Sequence, residues 1–264
     1  MRNRCVRLNS LCVRLAVRLV GSIAPRLDPR ARTFRTSSGQ LVRYAIETPT
    51  RVDPVAGQLL ILCLHPGWGS GRVPRGHGGV HLRRFFAPAL SDLDAILVAP
   101  DCPGIDWFEP SSESAVLELV DVIRRTCDVA PHAIVAAGLS DGATAAWGLV
   151  ARHPEMFCAA AVAAGSPDAA IVEAWGSAPV FAVHSRADTI VPLAPTRAAV
   201  ALLRLRGVAA ELVVVEDAAH GDTARLIDSM RAAVPWLRTV LETAGRRESP
   251  AEGAQSSGVT GSPG

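Results

Sequence analysis

The chain has no lysine: all 27 of its cationic residues are arginine. That removes lysine as a Schiff-base or phosphate-binding group, and the bias matches G- and C-rich codon usage rather than a function. No run approaches the roughly 20 apolar residues that span a bilayer, so no integral membrane segment is expected. The net charge of +2 gives no overall basic footprint for nucleic acid. The six cysteines form no CxxC pair and no compact cluster with histidine. With no disulfide framework, a reducing cytosol is the default and the expected localisation is cytoplasmic. Nor is there an internal repeat, or a linker that would split the 264 residues; one sizeable α/β domain accounts for the length.

Both ends differ in composition from the middle. Residues 1–35 carry many arginines and one acid, Asp28, and Arg14 and Arg18 interrupt any apolar core of a secretory signal. Two readings stand. The segment is a basic amphipathic helix for an anionic membrane or an organellar presequence, or it is an unstructured extension, from a start codon placed too far upstream if not from the mature chain. Residues 246–264 are Ser, Gly, Pro and Glu with almost nothing to bury, as in a disordered tail. The folded domain is therefore expected over 36–245.

Within it, apolar runs alternate with helical patterns. Leu41 to Ile46 alternates as an edge strand does, whereas Gln58 to Leu64, Ala95 to Pro100, Ala133 to Ala137, Phe157 to Ala164, Pro179 to His184 and Glu211 to Val215 read as buried strands. Helices are expected over Ser114–Arg125 with Ser111 or Ser112 as cap, after Ser140, over Thr196–Arg206 closed by Gly207, and from Thr223 to Glu242. This order predicts a mostly parallel sheet with helices on both faces, with functional groups at the carboxyl ends of the strands.

Gly138-Leu139-Ser140-Asp141-Gly142 lies between a strand and a helix, the context of a nucleophile elbow. A serine on that turn sits in a strained backbone, and its flanking glycines avoid clashes. Serine hydroxyl is a poor nucleophile at neutral pH, so it needs a neutral imidazole to take its proton and a carboxylate to orient that imidazole. Seven histidines compete for the first role. His220, in a small-residue turn after the last strand, is the expected base. His132 and His153 sit beside prolines at element ends, His65 belongs to a glycine loop, and His77 and His81 are surface residues or a weak metal pair. His184 and Asp188, four residues apart, shape one loop. Asp188 is the expected acid and Asp168 the reserve; Asp141 and Asp217 are too near Ser140 and His220 in sequence. Acylation by a neutral imidazole should slow as pH falls through about 6 to 7.

For the oxyanion, one donor is expected from the backbone N–H of Asp141 and the second from His65-Pro66-Gly67-Trp68-Gly69, with Trp68 first and Gly67 next. The long loop Ser70–His81 and residues 105–109 are the expected pocket walls. Trp107 and Phe108 either offer apolar surface to a substrate or pack against the core. Arg72 and Arg75 either favour an acidic substrate or are simply solvated.

From about residue 40 to 242 the chain resembles the α/β-hydrolase superfamily. It is most similar to the cap-less carboxylesterase, dienelactone-hydrolase-like and polyhydroxyalkanoate-depolymerase-like branch, on Leu64 to Gly69, Gly138 to Gly142, His184 through Asp188 to Pro192, and Ala219-His220-Gly221. It departs in carrying Ser140 where dienelactone hydrolases use cysteine, Pro66 directly after His65, and Ser185 in place of a glycine in the acid loop. Only residues 165–178 separate the two strands between which relatives insert a lid. The resemblance implies a serine esterase with an open site, acting through an acyl-enzyme on a small or medium acyl ester, with no metal and no cofactor. A thioesterase or peptidase of the same fold, or a binding protein without turnover, are the alternatives.

Overall fold

We describe residues 31–49, 57–67 and 73–248 in a computed structural model of the chain. Eight strands form one sheet: β1 (Ala31–Arg35), β2 (Leu41–Glu47), β3 (Gln58–Leu64), β4 (Ile96–Pro100), β5 (Val129–Leu139), β6 (Ala159–Ala163), β7 (Val180–Ser185) and β8 (Ala210–Val215), in the spatial order β1-β2-β4-β3-β5-β6-β7-β8. β1 and β2 pair antiparallel, and β2 joins β4 antiparallel. From β4 to β8 all pairings are parallel.

The sheet separates two cores because successive side chains of a strand point to opposite faces. Leu60, Leu62 and Leu64 of β3 enter one core, and Ile61 and Cys63 enter the other. On the first face lie α3 (Pro110–Thr126), α4 (Asp141–Arg152), the short α5 (Ala169–Ala174) and α6 (Leu193–Leu205). The second face is covered by a π-helical turn (Leu82–Phe86) that continues from α1 (His77–His81), by α2 (Ala87–Leu90), α7 (Thr223–Met230) and α8 (Ala233–Glu248). β6 is Ala159-Ala160-Ala161-Val162-Ala163, buried at every residue, and its small side chains let helices approach closely from both sides. Only α5 interrupts the connection from β6 to β7, so no cap covers the carboxyl edge.

Three sequence expectations are corrected. Ala31–Arg35, assigned to the extension, is an edge strand registered against Leu41–Ala45; Arg32 and Arg35 stand on either side of its half-buried Phe34, which hid a strand inside a charged segment. At the other end, 246–248 continue α8 rather than beginning a tail. The single helix expected over Thr223–Glu242 is two helices. Pro235 has no N–H and cannot continue a helix arriving from Met230, but it is tolerated in the first turn of α8.

Residues 77–93 form a helical run that the sequence reading left partly as loop. Its buried residues Leu82, Phe85, Phe86, Ala89, Leu90 and Leu93 recur at helical spacing, and each fully buried phenylalanine contributes about 1.5–3 kcal/mol. α3 begins at Pro110, with Glu109 as its cap residue. Ser112 is no cap: its buried Oγ accepts the Gly104 N–H at 3.0 Å and braces the loop after β4. Gly207 has φ of 80° just beyond α6, the left-handed closure expected there.

Candidate active site

The chain runs from β3 outward to β4, then crosses back to place β5 on the other side of β3. The carboxyl ends of β3 and β5 therefore flank a topological switch point, where a crevice opens. Gly67 lies just beyond one end and Ser140 at the other.

Ser140 has φ of 55° and ψ of −122°, a strained backbone for a residue with a side chain. It is held by its N–H to Ala163 O at 2.9 Å and by its carbonyl, which accepts from the N–H groups of Ala143 and Thr144 at 2.8 and 3.0 Å. A Cβ on Gly138 would fall 2.1 Å from Gly142 O, and one on Gly165 would fall 2.5 Å from Ser140 O. Gly165 is a third required glycine, unrecognised in the sequence because it lies outside the motif, in the loop after β6.

Ser140 Oγ is 2.8 Å from His220 Nε2, and His220 Nδ1 is 2.7 Å from Asp188 Oδ2. The carboxylate accepts, so Nδ1 carries the hydrogen and Nε2 presents its lone pair to the serine hydroxyl. Asp188 is buried, and its Oδ1 accepts the N–H groups of Ile190 and Val191, each at 2.9 Å. Burial pushes its pKa up, but the hydrogen bonds from His220, Val191 and Ile190 outweigh this and hold the carboxyl below its ordinary range. Asp168, the reserve acid, instead caps α5 by accepting the Ile171 N–H at 2.8 Å.

His65 is excluded as a base by its own bonding. Nδ1 donates to Pro66 O at 2.7 Å and Nε2 accepts the Cys102 N–H at 3.0 Å. Burial lowers its pKa to about 3, so it stays neutral and ties the loop after β3 to the loop after β4. His77 meets it edge-on at 4.7 Å, and His81 lies 4.5 Å from His77, both ring to ring. The start of α1 is fixed by Asp101, whose carboxylate accepts the N–H groups of Gly76 and Gly78 at 2.7 and 2.9 Å. Thus His77–His81, read in sequence as a loop wall, is anchored helix. Among the described residues no group of three or more His, Cys, Asp or Glu is arranged to hold a metal ion.

Asp141 opens α4, so its N–H lies at the positive end of a 12-residue helix beside Ser140. Gly67 faces it: a Cβ there would lie 1.8 Å from Asp141 Oδ2, so any larger residue would require the Asp141 side chain to move. Trp68, the favoured second oxyanion donor, and Arg72 lie outside the described residues. Trp107 takes the second of its two expected roles: it is 6 % exposed, packs in the core and donates its Nε1–H to His65 O at 2.9 Å. Phe108, beside it, is 56 % exposed.

This architecture is the α/β-hydrolase fold, and the solved structures similar to it include esterases and related hydrolases. A thermostable esterase superposes with a TM-score of 0.67 at 22% identity, covering 79% of this chain; this chain spans 62% of that one, less than two thirds of its length. Thermogutta terrifontis esterase 2, phosphorylated by paraoxon, gives a TM-score of 0.61 at 17% identity, covering 83% of this chain and 98% of the other. S-formylglutathione hydrolase from Staphylococcus aureus gives 0.59 at 11% identity, covering 78% and 96%. No protein-family model and no curated protein matches the chain. No helix among the described residues is long and apolar enough to cross a membrane.

Proposed function

We propose that the chain is a serine hydrolase of the cap-less carboxylesterase kind, cleaving an ester of a small or medium acyl group. The observation that carries this is the hydrogen-bonded series from Ser140 Oγ to His220 Nε2 at 2.8 Å and from His220 Nδ1 to Asp188 Oδ2 at 2.7 Å. Esterases among the fold's solved neighbours support the same reading.

In this mechanism Ser140 Oγ attacks the acyl carbon while His220 Nε2 takes its proton. Asp188 holds the resulting imidazolium and does not itself become protonated. The carbonyl oxygen gains a full negative charge beside the Asp141 N–H, with a second donor from the Gly67–Trp68 loop. Collapse expels the alcohol, which takes the proton from His220, and the acyl group remains on Ser140. Water, deprotonated by the same histidine, then releases the acid. No step calls for a metal or an organic cofactor. The partner is a small-molecule ester, and the hydrolase domain is taken to include β1, since that strand completes the sheet edge.

A fluorophosphonate that phosphonylates activated serines tests the reading, together with hydrolysis of short activated esters and thioesters. The wild type should be labelled at Ser140 and turn over an ester, and Ser140→Ala should do neither while keeping its circular dichroism. Full activity in Ser140→Ala would remove that residue from the mechanism. A clear preference for thioesters would move the protein to a different bond class on the same site.

A further inference from the structure

We propose that His184 is a positioning residue for this reaction: clamped between Thr196 and Val191, it holds the loop Arg186–Pro192 so that Asp188 meets His220. The inference rests on the serine-hydrolase reading and adds a residue that touches none of the reacting atoms.

His184 is the penultimate residue of β7, with its side chain fully buried. Its Nε2 lies 2.8 Å from Val191 O, and Nδ1 lies 2.9 Å from Thr196 Oγ1. A carbonyl only accepts, so Nε2 carries the hydrogen, and Nδ1 is then the acceptor for the Thr196 hydroxyl. Thr196 stands in the first turn of α6, and its Oγ1 also lies 3.3 Å from Gly165 O, in the loop that packs under Ser140. One imidazole thus ties the end of β7 to α6 and to the far end of the acid loop.

Val191 is where the tie reaches the carboxylate. Its carbonyl receives the His184 Nε2–H, and its N–H donates to Asp188 Oδ1 at 2.9 Å. Pro192, which follows, has no N–H, so nothing on that peptide replaces the contact made through Val191 O. His184 Nε2 is itself 3.7 Å from Asp188 Oδ2, too long for a hydrogen bond but with the protonated edge of the ring toward the carboxylate. Remove the ring and Val191 O loses its buried donor, the Thr196 hydroxyl is left with Gly165 O alone, and one side of the Asp188 cradle is free to drift. The catalytic consequence is orientational: a displacement of about 1 Å at such a group lowers turnover on the order of 100-fold.

The test compares wild type, His184→Leu, His184→Gln and Thr196→Val by steady-state kinetics on one activated ester, with fluorophosphonate labelling rates alongside. His184→Leu should lower kcat on the order of 10- to 100-fold, leave KM within about twofold, and slow labelling in parallel. His184→Gln, whose amide N–H can reach Val191 O, should recover most of that loss. Thr196→Val should show a smaller fall in kcat at constant KM, and it carries the test if His184→Leu does not fold. Wild-type kcat in Thr196→Val and in a folded His184→Leu overturns the proposal, as does a Gln variant no better than Leu. If the wild type neither labels nor hydrolyses, the serine-hydrolase reading fails instead, and the role of His184 with it.

Discussion

A Cβ on Gly142 would lie 2.1 Å from the carbonyl oxygen of Leu64. Two backbone segments, the end of β3 and the first turn of α4, are in contact there, and neither can yield as a flexible side chain would. Gly142→Ala is therefore expected to lose about 1–3 kcal/mol of stability and to lose ester hydrolysis with it. Gly176→Ala is the control, because a Cβ at that position has nothing within 4 Å. Denaturant midpoints of the two variants check this; equal midpoints would remove the steric account of the turn.

Gly67 and Asp141 are coupled through a side chain rather than through backbone. A methyl on residue 67 meets Asp141 Oδ2 at 1.8 Å and Cγ at 2.9 Å, but Cβ only at 3.5 Å, an ordinary contact. Gly67→Ala should lower kcat by displacing the oxyanion loop. Asp141→Ala keeps the backbone N–H and should cost less. The double variant should recover most of the Gly67→Ala loss, with a coupling of about 0.5–3 kcal/mol in a double-mutant cycle of kcat/KM. Additive losses would mean that the two residues act separately.

His65 makes folding sensitive to acid. Burial lowers its pKa from 6.5 to about 3 in the folded chain, while the unfolded chain titrates near the ordinary value. Between those values the unfolded state binds a proton that the folded state refuses. Stability therefore falls as pH drops from about 6.5 toward 3, by about 1.4 kcal/mol per pH unit from this one group. His81, lowered to about 4 chiefly by burial, acts in the same direction. Asp188 has a depressed pKa and adds its own loss only as pH falls below the ordinary carboxylate value of 3.8. Urea unfolding at pH 7, 6 and 5 should show a shallower fall for His65→Gln than for the wild type. Parallel slopes would contradict the buried neutral histidine.

Trp107 and Phe108 are neighbours with opposite expected effects. Trp107→Phe removes the hydrogen bond to His65 O and should cost about 0.5–1.5 kcal/mol while leaving KM unchanged. Phe108→Ala takes away an exposed ring and should leave the melting temperature within about 1 °C while raising KM for esters with larger acyl groups. Melting curves and KM values across an acyl series check both. A raised KM in Trp107→Phe would return that residue to the pocket.

Much of this fold is legible in local pattern. Continuous apolar runs mark the parallel strands because a strand covered on both faces has no polar side. The glycines around Ser140 mark its turn because no Cβ fits there. Other signals were present but masked. Leu82, Phe85, Phe86, Ala89, Leu90 and Leu93 carry helical spacing, yet they follow a Gly/Arg/His-rich stretch that reads as loop. β1 carries Arg32 and Arg35 on either side of its half-buried Phe34, which made it look like part of a basic extension.

Other assignments had no local signal. Nothing near Trp107 says that its indole turns inward to His65, and nothing near Thr196 says that its hydroxyl meets His184, because both contacts depend on how separate elements pack. The amino-acid order was enough to decide which side chains leave the carboxyl ends of the strands, since periodicity and steric demand act over a few residues. Which of the other histidines are locked into carbonyls, hydroxyls and backbone amides, as His65 and His184 are, was decided only by how the loops pack at the sheet edge. Hydrogen-bond partners are chosen there by distances between segments far apart in the chain.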